Sequence, residues 1–335
     1  MFSALPYGVF KYESQEMQDA VRTLLAEKDF DAVLCDDVYL FKDLPPPVRA
    51  QALLNKHDFT FVIVRGVLAR THNPLKLAYG WLEYLKLRRW ETVVSSSVAS
   101  VLLCSERDGR VLQRMVPGTS MTTVPNVIDV SEYAPQKDGG NETLIFSGAM
   151  DYFSNQDAVE FFVSQILPEI RTQFPRIKLI VAGRNPPESF QRRVARTSGV
   201  IFTGTVPDMR SEIAKSSVCV VPLRIGSGTR LKILEAAAMC KPVVSTRIGA
   251  EGLDFTPGTE ILLADEPKEF AKAVASLLKD GSLRESMGQA ARRRVEKQYS
   301  IEALRVAVRD ALSTLVAREV QVDQEGSTAS SPQSK

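Results

Sequence analysis

Short apolar segments alternate with amphipathic segments through the second half of the chain. Six of these short apolar segments have the character of buried strands: TLIFS, IKLIVAG, VIFTG, VCVVPL, PVVST and EILLA. Near-continuous apolar strands separated by helices are typical of a parallel sheet that helices cover on both faces. The pattern therefore predicts one complete doubly wound α/β domain over residues 142–298.

The segments between the predicted strands carry the apolar period of helices. From Asn155 onward, and again between Thr229 and Met239, apolar side chains recur at helical spacing and form one face. Two further helices are predicted within the last part of this domain, and a C-terminal helix is predicted over residues 299–317. The tail 318–335 is polar and rich in small residues, so we predict that it is disordered.

The first half of the chain repeats the alternation with fewer units. The runs DAVLCD, FTFVIV, SVLLCS and MTTVP predict four strands. No glycine occurs between Gly8 and Gly66, so this half lacks a glycine-rich turn near its start. We expect a Rossmann-like domain over residues 1–124 whose first unit is missing, followed by a linker over 125–141. An incomplete sheet leaves an edge unpaired, which favours self-association.

Composition and charge limit the classes of partner. With 335 residues, of which 44% are hydrophobic and 24% charged, the chain suits two soluble globular domains. The 42 basic residues nearly balance the 40 acidic ones, which gives no reason to expect a nucleic-acid partner. The four cysteines are far apart and lie mostly in apolar runs. Together with the lack of a signal peptide or long apolar span, they predict a cytoplasmic protein.

The most informative stretch is VVPLRIGSGTRLKILEAAAMCKPVVSTRIGAEGL, from Val220 to Leu253. It reads as a strand, a loop with Gly226 and Gly228, and a helix that carries Lys232 and Glu235 on one face. Glycines let the backbone approach a phosphate, and the start of a helix directs unpaired N–H groups at it. The alternative interpretation is an ordinary strand-to-helix turn with a surface ion pair, and spacing alone leaves both open. The run GSGTR is not a P-loop.

The same stretch resembles the donor-site motif of family 4 retaining glycosyltransferases, in particular their bacterial exopolysaccharide-type branch. The segments FSGAMDYFSNQDAVEFF, ILPEIRTQFPRIKLIVAGRNP, VIFTGTVPDMRSEIAKSSVCVVPL and VPNVID agree in order and spacing. The resemblance implies a GT-B-like α/β fold of two Rossmann-like parallel-sheet domains, the first of them incomplete here. It also implies a glycosyltransferase that moves a sugar from a nucleotide-sugar donor to a glycan or lipid-linked acceptor.

The resemblance also implies roles for individual residues at the donor. Glu235 is expected to bind the ribose, while Lys232 and the backbone of Gly228 and Thr229 face the diphosphate. Gly148 admits the diphosphate from the other side. The resemblance implies four more residues at the nucleotide-sugar donor: Arg184, Arg230, Gly204 and Val206. The backbone of Val206 is expected to contact the nucleotide base. Lys232 and Arg184 are the expected stabilisers of the leaving group, and the family's first paired glutamate falls on Ser227.

On the acceptor side, His57 roughly matches a family histidine that helps to place the transferred sugar, and His72 is a competing candidate. Glu91 fits a recurring position but is expected to be a solvated charge. Around it, the helix 75–91 interleaves two tryptophans with lysines and arginines. Such a helix either packs on the sheet with solvated charges or makes a peripheral contact with an anionic membrane.

No metal or cofactor is expected, because the second domain has no Asp-x-Asp cluster and Lys232 with helix N-termini can take a metal's place at the diphosphate. The nucleotide sugar is then a substrate. Two alternatives stay open at this point. One is a related UDP-sugar epimerase, and the other is a catalytically silent nucleotide-sugar-binding protein.

Overall fold

The computed structural model describes residues 3–135, 142–194 and 196–313, and the chain divides into two compact units. The first unit comprises Met1–Phe61, Ala78–Pro125 and Leu304–Lys335, and the second comprises Val62–Leu77 and Asn126–Ala303. The predicted disordered tail and the end of the predicted linker lie outside the described residues.

The first unit is built on a four-stranded parallel sheet. Its strands are β1 (Leu34–Asp36), β2 (Leu53–Lys56), β3 (Ser100–Leu103) and β4 (Met121–Thr123). They pair in the order β1-β2-β3-β4, so each strand lies beside the next one along the chain. The helices in this part of the chain are α1 (Tyr7–Lys11), α2 (Gln15–Glu27), α3 (Pro46–Arg49), α4 (Thr60–Leu68), α5 (Pro74–Ser96) and α6 (Glu106–Met115).

One predicted strand of this half is wrong. The run FTFVIV, after its first residue, lies in the helix α4, and the strand is the preceding segment LLNK, which is β2. A short apolar run without alternation does not distinguish a strand from a buried helix. The true strand was hidden because it ends in Asn55 and Lys56, two polar residues, of which Lys56 is only 1% exposed.

The second unit contains all six predicted strands, in one parallel sheet. They are β5 (Thr143–Ser147), β6 (Lys178–Ala182), β7 (Val200–Gly204), β8 (Val218–Val221), β9 (Val243–Ser245) and β10 (Leu262–Leu263). The order is β10-β9-β8-β5-β6-β7, which is the strand order of a doubly wound nucleotide-binding fold. Because all the strands are parallel, their carboxyl ends lie along one edge of the sheet.

Helices cover this sheet and close a single hydrophobic core. They are α7 (Phe153–Phe161), α8 (Leu167–Arg171), α9 (Glu188–Val194), α10 (Met209–Ala214), α11 (Leu231–Ala238), α12 (Pro267–Lys279) and α13 (Gly281–Gln298). A π-helical turn, Phe162–Ile166, joins α7 to α8. The C-terminal helix is described over residues 301–313. None of the described helices has both the length and the apolar character needed to span a bilayer.

Candidate functional site

The strand order of the second unit reverses between β5 and β8. In open α/β sheets, ligands bind in the crevice at such a switch point, beyond the carboxyl ends of the two strands. Here the crevice is bounded by the turn after β5, which carries Gly148, and by the loop between β8 and α11, which carries Gly226 and Gly228. The topology therefore brings the predicted phosphate-binding glycines from distant parts of the sequence to one edge of the sheet.

The turn after β5 packs closely against the end of the neighbouring strand β6. Gly148 donates its N–H to the carbonyl of Ala182 at 2.9 Å, and a Cβ on Gly183 would lie 1.8 Å from the Gly148 carbonyl oxygen. Both glycines have positive φ, +152° at Gly148 and +150° at Gly183. Only glycine at 183 leaves room for this backbone contact, and the positive φ favours glycine at both positions. Gly148 is one of the predicted site residues, and Gly183 is a neighbour that was not predicted.

Lys232 reaches from the first turn of α11 to the turn after β5. Its Nζ donates to Asn155 Oδ1 at 3.1 Å and lies 4.0 Å from the centroid of the Phe146 ring. Burial, the largest cause, lowers the pKa of the Lys232 ammonium to about 7, and the nearby Arg230 guanidinium acts in the same direction. The ammonium group therefore lies at the switch point, where a bound anion would stabilise its charged form.

Replacing Gly148 with alanine should displace this ammonium. The added Cβ would lie 2.8 Å from Lys232 Nζ and 2.9 Å from Asn155 Nδ2. We expect Gly148→Ala to weaken binding of UDP or GDP about 3- to 10-fold in calorimetric titrations, because the cation can no longer occupy its position.

Gly258→Ala is the matched control for this prediction. Gly258 also has a positive φ of +83°, and a Cβ there would meet no atom within 4 Å. Both variants should therefore lose about 1 kcal/mol of stability from backbone strain, while only Gly148→Ala loses nucleotide affinity. Equal nucleotide affinities for the two variants would show that Gly148 is not at the ligand.

The glycine loop before α11 is held in shape by its own side chains and by two neighbouring segments. Arg230 is the N-cap residue, and its guanidinium folds back to donate to the carbonyls of Ser227 and Gly228. Asn126 Nδ2 donates to Thr229 Oγ1 at 2.7 Å. Arg230, one of the implied donor residues, therefore shapes the loop through these hydrogen bonds.

A bidentate ion pair anchors the beginning of the same loop. Arg224 donates to both carboxylate oxygens of Asp157 on α7, at 3.0 Å from Nε and 2.6 Å from Nη2. Its guanidinium also lies 4.3 Å from the centroid of the Phe161 ring. The N-terminus of α11 has no side-chain cap at Arg230. The first N–H groups of α11 are thus directed toward the crevice from a fixed loop.

Glu235 lies one turn after Lys232 on α11 and is half-buried. Its Oε1 accepts a hydrogen bond from the hydroxyl of Tyr133 at 3.3 Å. Burial raises the pKa of Glu235, while Tyr133 and Lys232 oppose the shift. Burial also raises the pKa of Tyr133 to about 12, with the Glu235 carboxylate adding to it. Tyr133 was missed because it lies in the predicted linker, where no periodic pattern marks it.

The other predicted donor residues lie on the β6 and β7 side of the sheet. Arg184 follows β6, and its side chain is exposed. Gly204 ends β7 with a φ of +66°, and its carbonyl accepts the N–H of Gly183 at 3.2 Å. Val206 is half-buried in the turn that follows. No described contact joins Arg184 to Lys232.

His57 lies in the first unit, directly after β2, within a polar cluster at the carboxyl end of the sheet. Its Nε2 lies 3.0 Å from Asp36 Oδ1, and its Nδ1 lies 3.8 Å from Cys104 Sγ. Asn55 Nδ2 also donates to Asp36 Oδ1 at 2.7 Å. Asp36 therefore orients the imidazole ring through Nε2, and Asn55 Nδ2 lies 3.3 Å from the same ring nitrogen. His72 lies in the second unit, just before α5.

The prediction that Glu91 is a solvated charge is wrong. Glu91 is fully buried, and its Oε2 accepts from Lys56 Nζ at 2.6 Å while its Oε1 accepts the N–H of Phe61 at 3.2 Å. Burial raises the pKa of Glu91, and Lys56 opposes the shift. A charge is tolerated in the core only when it is paired and hydrogen-bonded in this way. The pair ties α5 to β2.

The two tryptophans of α5 have different surroundings. Trp90 points inward and donates from Nε1 to the carbonyl of Val38 at 3.0 Å. Trp81 is 49% exposed and contacts Tyr84 edge to face, with ring centroids 5.2 Å apart. The helix therefore packs through one tryptophan and presents the other, with several exposed apolar neighbours, at the surface.

A metal site was not predicted, and the described residues offer no cluster that would form one. Within residues 3–135, 142–194 and 196–313, no three or more His, Cys, Asp or Glu side chains lie together in a way that would hold a metal ion. The four cysteines are free thiols, three of them buried.

The second unit is similar in sequence to known glycosyl transferases. Residues 141–280, which include the turn after β5, the glycine loop and α11, match the family of glycosyl transferases group 1. An uncharacterized 44.6 kDa protein in the cps region of Klebsiella pneumoniae is 22% identical over 269 residues, 78% of this chain and 68% of its own length. A GDP-mannose-dependent mannosyltransferase acting on monoacylated phosphatidylinositol monomannoside, from Corynebacterium glutamicum, is 27% identical over 149 residues. The match covers 41% of this chain and 39% of the relative.

Two solved structures share the fold of this chain over most of its length. Sucrose-phosphate synthase from Thermosynechococcus elongatus superposes with a TM-score of 0.72 at 18% identity and covers 92% of this chain and 81% of its own. Anabaena HepE in complex with UDP-glucose superposes with a TM-score of 0.68 at 13% identity. The superposition covers 94% of this chain and 85% of HepE. The chain has a GT-B-like fold with two parallel-sheet α/β units, and the similarities support a group 1 glycosyltransferase.

Proposed function

We propose that this protein transfers a sugar from a nucleotide-sugar donor to a glycan or lipid-linked acceptor, with retention of configuration and without a metal ion. The observation that carries the proposal is the meeting of Lys232 with the turn after β5, one helical turn from Glu235, at the switch point of the sheet. The cation and the glycine-lined backbone suit a diphosphate, and the carboxylate one turn further along the helix suits the ribose attached to it.

Departure of the nucleoside diphosphate develops negative charge that the site must stabilise. Lys232 and the N–H groups at the start of α11 are proposed to face that charge, and the missing Cβ of Gly148 leaves room for the Lys232 ammonium beside it. Preorganised donors of this kind stabilise a transition state without reorganisation of water. Because Lys232 supplies the positive charge, the proposal requires no divalent ion. Arg184 follows β6 on an exposed loop end and is proposed to approach the donor only when the donor is bound.

The names of relatives and solved structures support the proposed classes of donor and acceptor. The Corynebacterium relative is named as GDP-mannose-dependent, and the Anabaena structure holds UDP-glucose. We therefore propose a UDP- or GDP-sugar as the donor. The Klebsiella relative belongs to a cps region, which agrees with a role in exopolysaccharide synthesis in the cytoplasm.

In the first unit, His57 is proposed to help place the transferred sugar, with its ring oriented by Asp36. The exposed apolar side chains of α5, among them Tyr79, Trp81 and Leu82, support a peripheral contact with a membrane that carries a lipid-linked acceptor. Glu91 takes no part in this site, because it is buried against Lys56.

Nucleoside diphosphate release provides the test of the proposed function. The purified protein is incubated with UDP-glucose or GDP-mannose and a bacterial membrane fraction as the source of acceptor, with and without EDTA. We expect release of UDP or GDP that depends on the membrane fraction and that EDTA leaves largely intact. Complete loss with EDTA, restored by magnesium or manganese, would contradict the metal-free mechanism.

The same assay separates the two alternatives. A silent binding protein would be stabilised against heat by a nucleotide, by about 2.7 kcal/mol at a ligand concentration of 100 times its dissociation constant, yet release no diphosphate. An epimerase would convert the UDP-sugar in the absence of any acceptor. The proposal would be overturned if no UDP- or GDP-sugar stabilised the protein against heat and none gave release of a nucleoside diphosphate.

A further inference from the structure

Tyr133 is a linker residue whose backbone is held in place from two helices. Arg292, on α13, donates to the carbonyl of Tyr133 at 2.7 Å. Arg210, on α10, donates to both the carbonyl and the carboxylate of Glu132, at 2.8 Å and 2.7 Å. The N–H of Tyr133 donates to the carbonyl of Val130 at 3.1 Å. A segment that the sequence predicts to be a simple linker is therefore fixed on the second unit.

This anchoring directs the Tyr133 side chain at the predicted ribose carboxylate. Its ring packs against the hydrophobic core, and its hydroxyl donates to Glu235 Oε1 at 3.3 Å. On its other side, the Arg210 guanidinium lies 6.0 Å from the ring centroid and pairs with Asp208 at 2.8 Å. Tyr133 thus lies between Glu235 and the turn after β7, the two places to which the resemblance assigns the ribose and the base.

The contact has a chemical consequence for Glu235. A half-buried carboxylate is disfavoured unless neighbouring groups stabilise its charge, and here the Tyr133 hydroxyl and the Lys232 ammonium do so. An ionised carboxylate has about four acceptor positions on its two oxygens. One bond from Tyr133 therefore fixes the orientation of the carboxylate and leaves acceptor capacity for the two hydroxyls of a ribose.

We propose that Tyr133 is a positioning residue of the ribose site, which holds the Glu235 carboxylate ready for the vicinal hydroxyls of the nucleotide. It acts through Glu235 and is not itself a catalytic residue. This inference rests on the proposed function, because it requires a ribonucleotide at the switch point. Preorganisation of this kind raises affinity because it reduces the conformational entropy that the side chains lose when the ligand binds.

The test compares nucleotides that have and lack the hydroxyls that Glu235 would bind. Wild type and Tyr133→Phe are titrated by calorimetry with UDP, GDP and their 2′,3′-dideoxy analogues. Wild type should bind the better ribonucleotide about 10-fold or more tightly than its dideoxy analogue. Tyr133→Phe should weaken ribonucleotide binding about 3- to 10-fold and leave dideoxynucleotide binding unchanged.

Two further variants make the result specific. Tyr299→Phe is the matched control, because its hydroxyl also makes a hydrogen bond in the second unit, accepting the N–H of Asp254 at 2.8 Å, beside Phe255. It should lose stability without changing the preference for ribose. In a Glu235→Gln background, Tyr133→Phe should have little further effect, since the two residues act as a unit.

Each outcome decides between structural and positioning roles. An equal loss of affinity for ribo- and dideoxynucleotides in Tyr133→Phe, or no loss at all, would overturn the inference while leaving the proposed function intact. Full additivity of the Tyr133 and Glu235 changes would overturn it as well. Failure of wild type to bind UDP or GDP would overturn the proposed function first, and this inference with it.

Discussion

Replacing Lys232 with methionine should lower the rate of sugar transfer about 100- to 1000-fold, the usual effect of removing one preorganised donor from a developing negative charge. The structure supports a large effect because Lys232 Nζ lies at the turn after β5, 3.1 Å from Asn155 Oδ1 and beside Gly148. Methionine keeps much of the length and apolar contact of the side chain and removes the charge together with the hydrogen bond to Asn155. The measurement is steady-state turnover of the donor.

Lys241→Met is the matched control for the loss of a buried lysine. Lys241 is 1% exposed, and its Nζ donates to the carbonyl of Ala214 at the end of α10. Its replacement is expected to affect stability more than turnover. If the two variants lose activity equally, or if Lys232→Met keeps ordinary turnover, Lys232 does not stabilise the leaving group.

The pH dependence of donor binding gives Lys232 a second, independent readout. The pKa of Lys232 is about 7 without ligand, and a bound diphosphate favours the charged form and so raises that pKa. Affinity should therefore be independent of pH below about 7 and fall as pH rises above it, approaching tenfold per pH unit. Nucleotide sugars suit this titration because their diphosphate is a diester. The slope should be absent in Lys232→Met.

Replacing Glu235 with alanine should weaken nucleotide binding about 10- to 150-fold, since hydrogen bonds to a charged group contribute roughly 1.5 to 3 kcal/mol. The variant removes the acceptor for a ribose and also leaves the Tyr133 hydroxyl without its carboxylate partner. Calorimetric titration with UDP and GDP measures the effect.

A surface glutamate of the same unit serves as the control for Glu235→Ala. Glu269 lies on α12 and forms an exposed ion pair with Lys272 at 2.9 Å. An exposed pair of this kind contributes little, so Glu269→Ala should leave nucleotide affinity at the wild-type value. The ribose assignment is wrong if Glu235→Ala binds UDP and GDP as tightly as Glu269→Ala does.

The apolar pattern alone located the second unit well, because its strands are buried on both faces and its helices are amphipathic. All six predicted strands of that unit are present, and the helix with Lys232 and Glu235 begins within two residues of its predicted start. Neighbours that come from distant segments could not be predicted in this way. Asn155, Gly183 and Tyr133 reach the site only because parallel strands end at one edge and the linker folds back on α11.

The first unit was predicted less well because its polar core residues mislead a reading of apolar runs. Lys56 ends a buried strand and Glu91 lies inside a helix, and each is acceptable in the core only through the other, 35 positions away in the sequence. The buried pair made the strand β2 look like a polar loop and Glu91 look like a surface charge. Pairing between distant residues is a property of the fold, which no local pattern contains.

Determining the structure of the protein with bound UDP or GDP tests the central claim most directly. The account predicts that the diphosphate lies between the turn at Gly148 and the start of α11, within hydrogen-bonding distance of Lys232 Nζ. It also predicts that the ribose hydroxyls donate to Glu235. A nucleotide bound with its diphosphate away from this crevice, or with its ribose away from Glu235, would contradict the account.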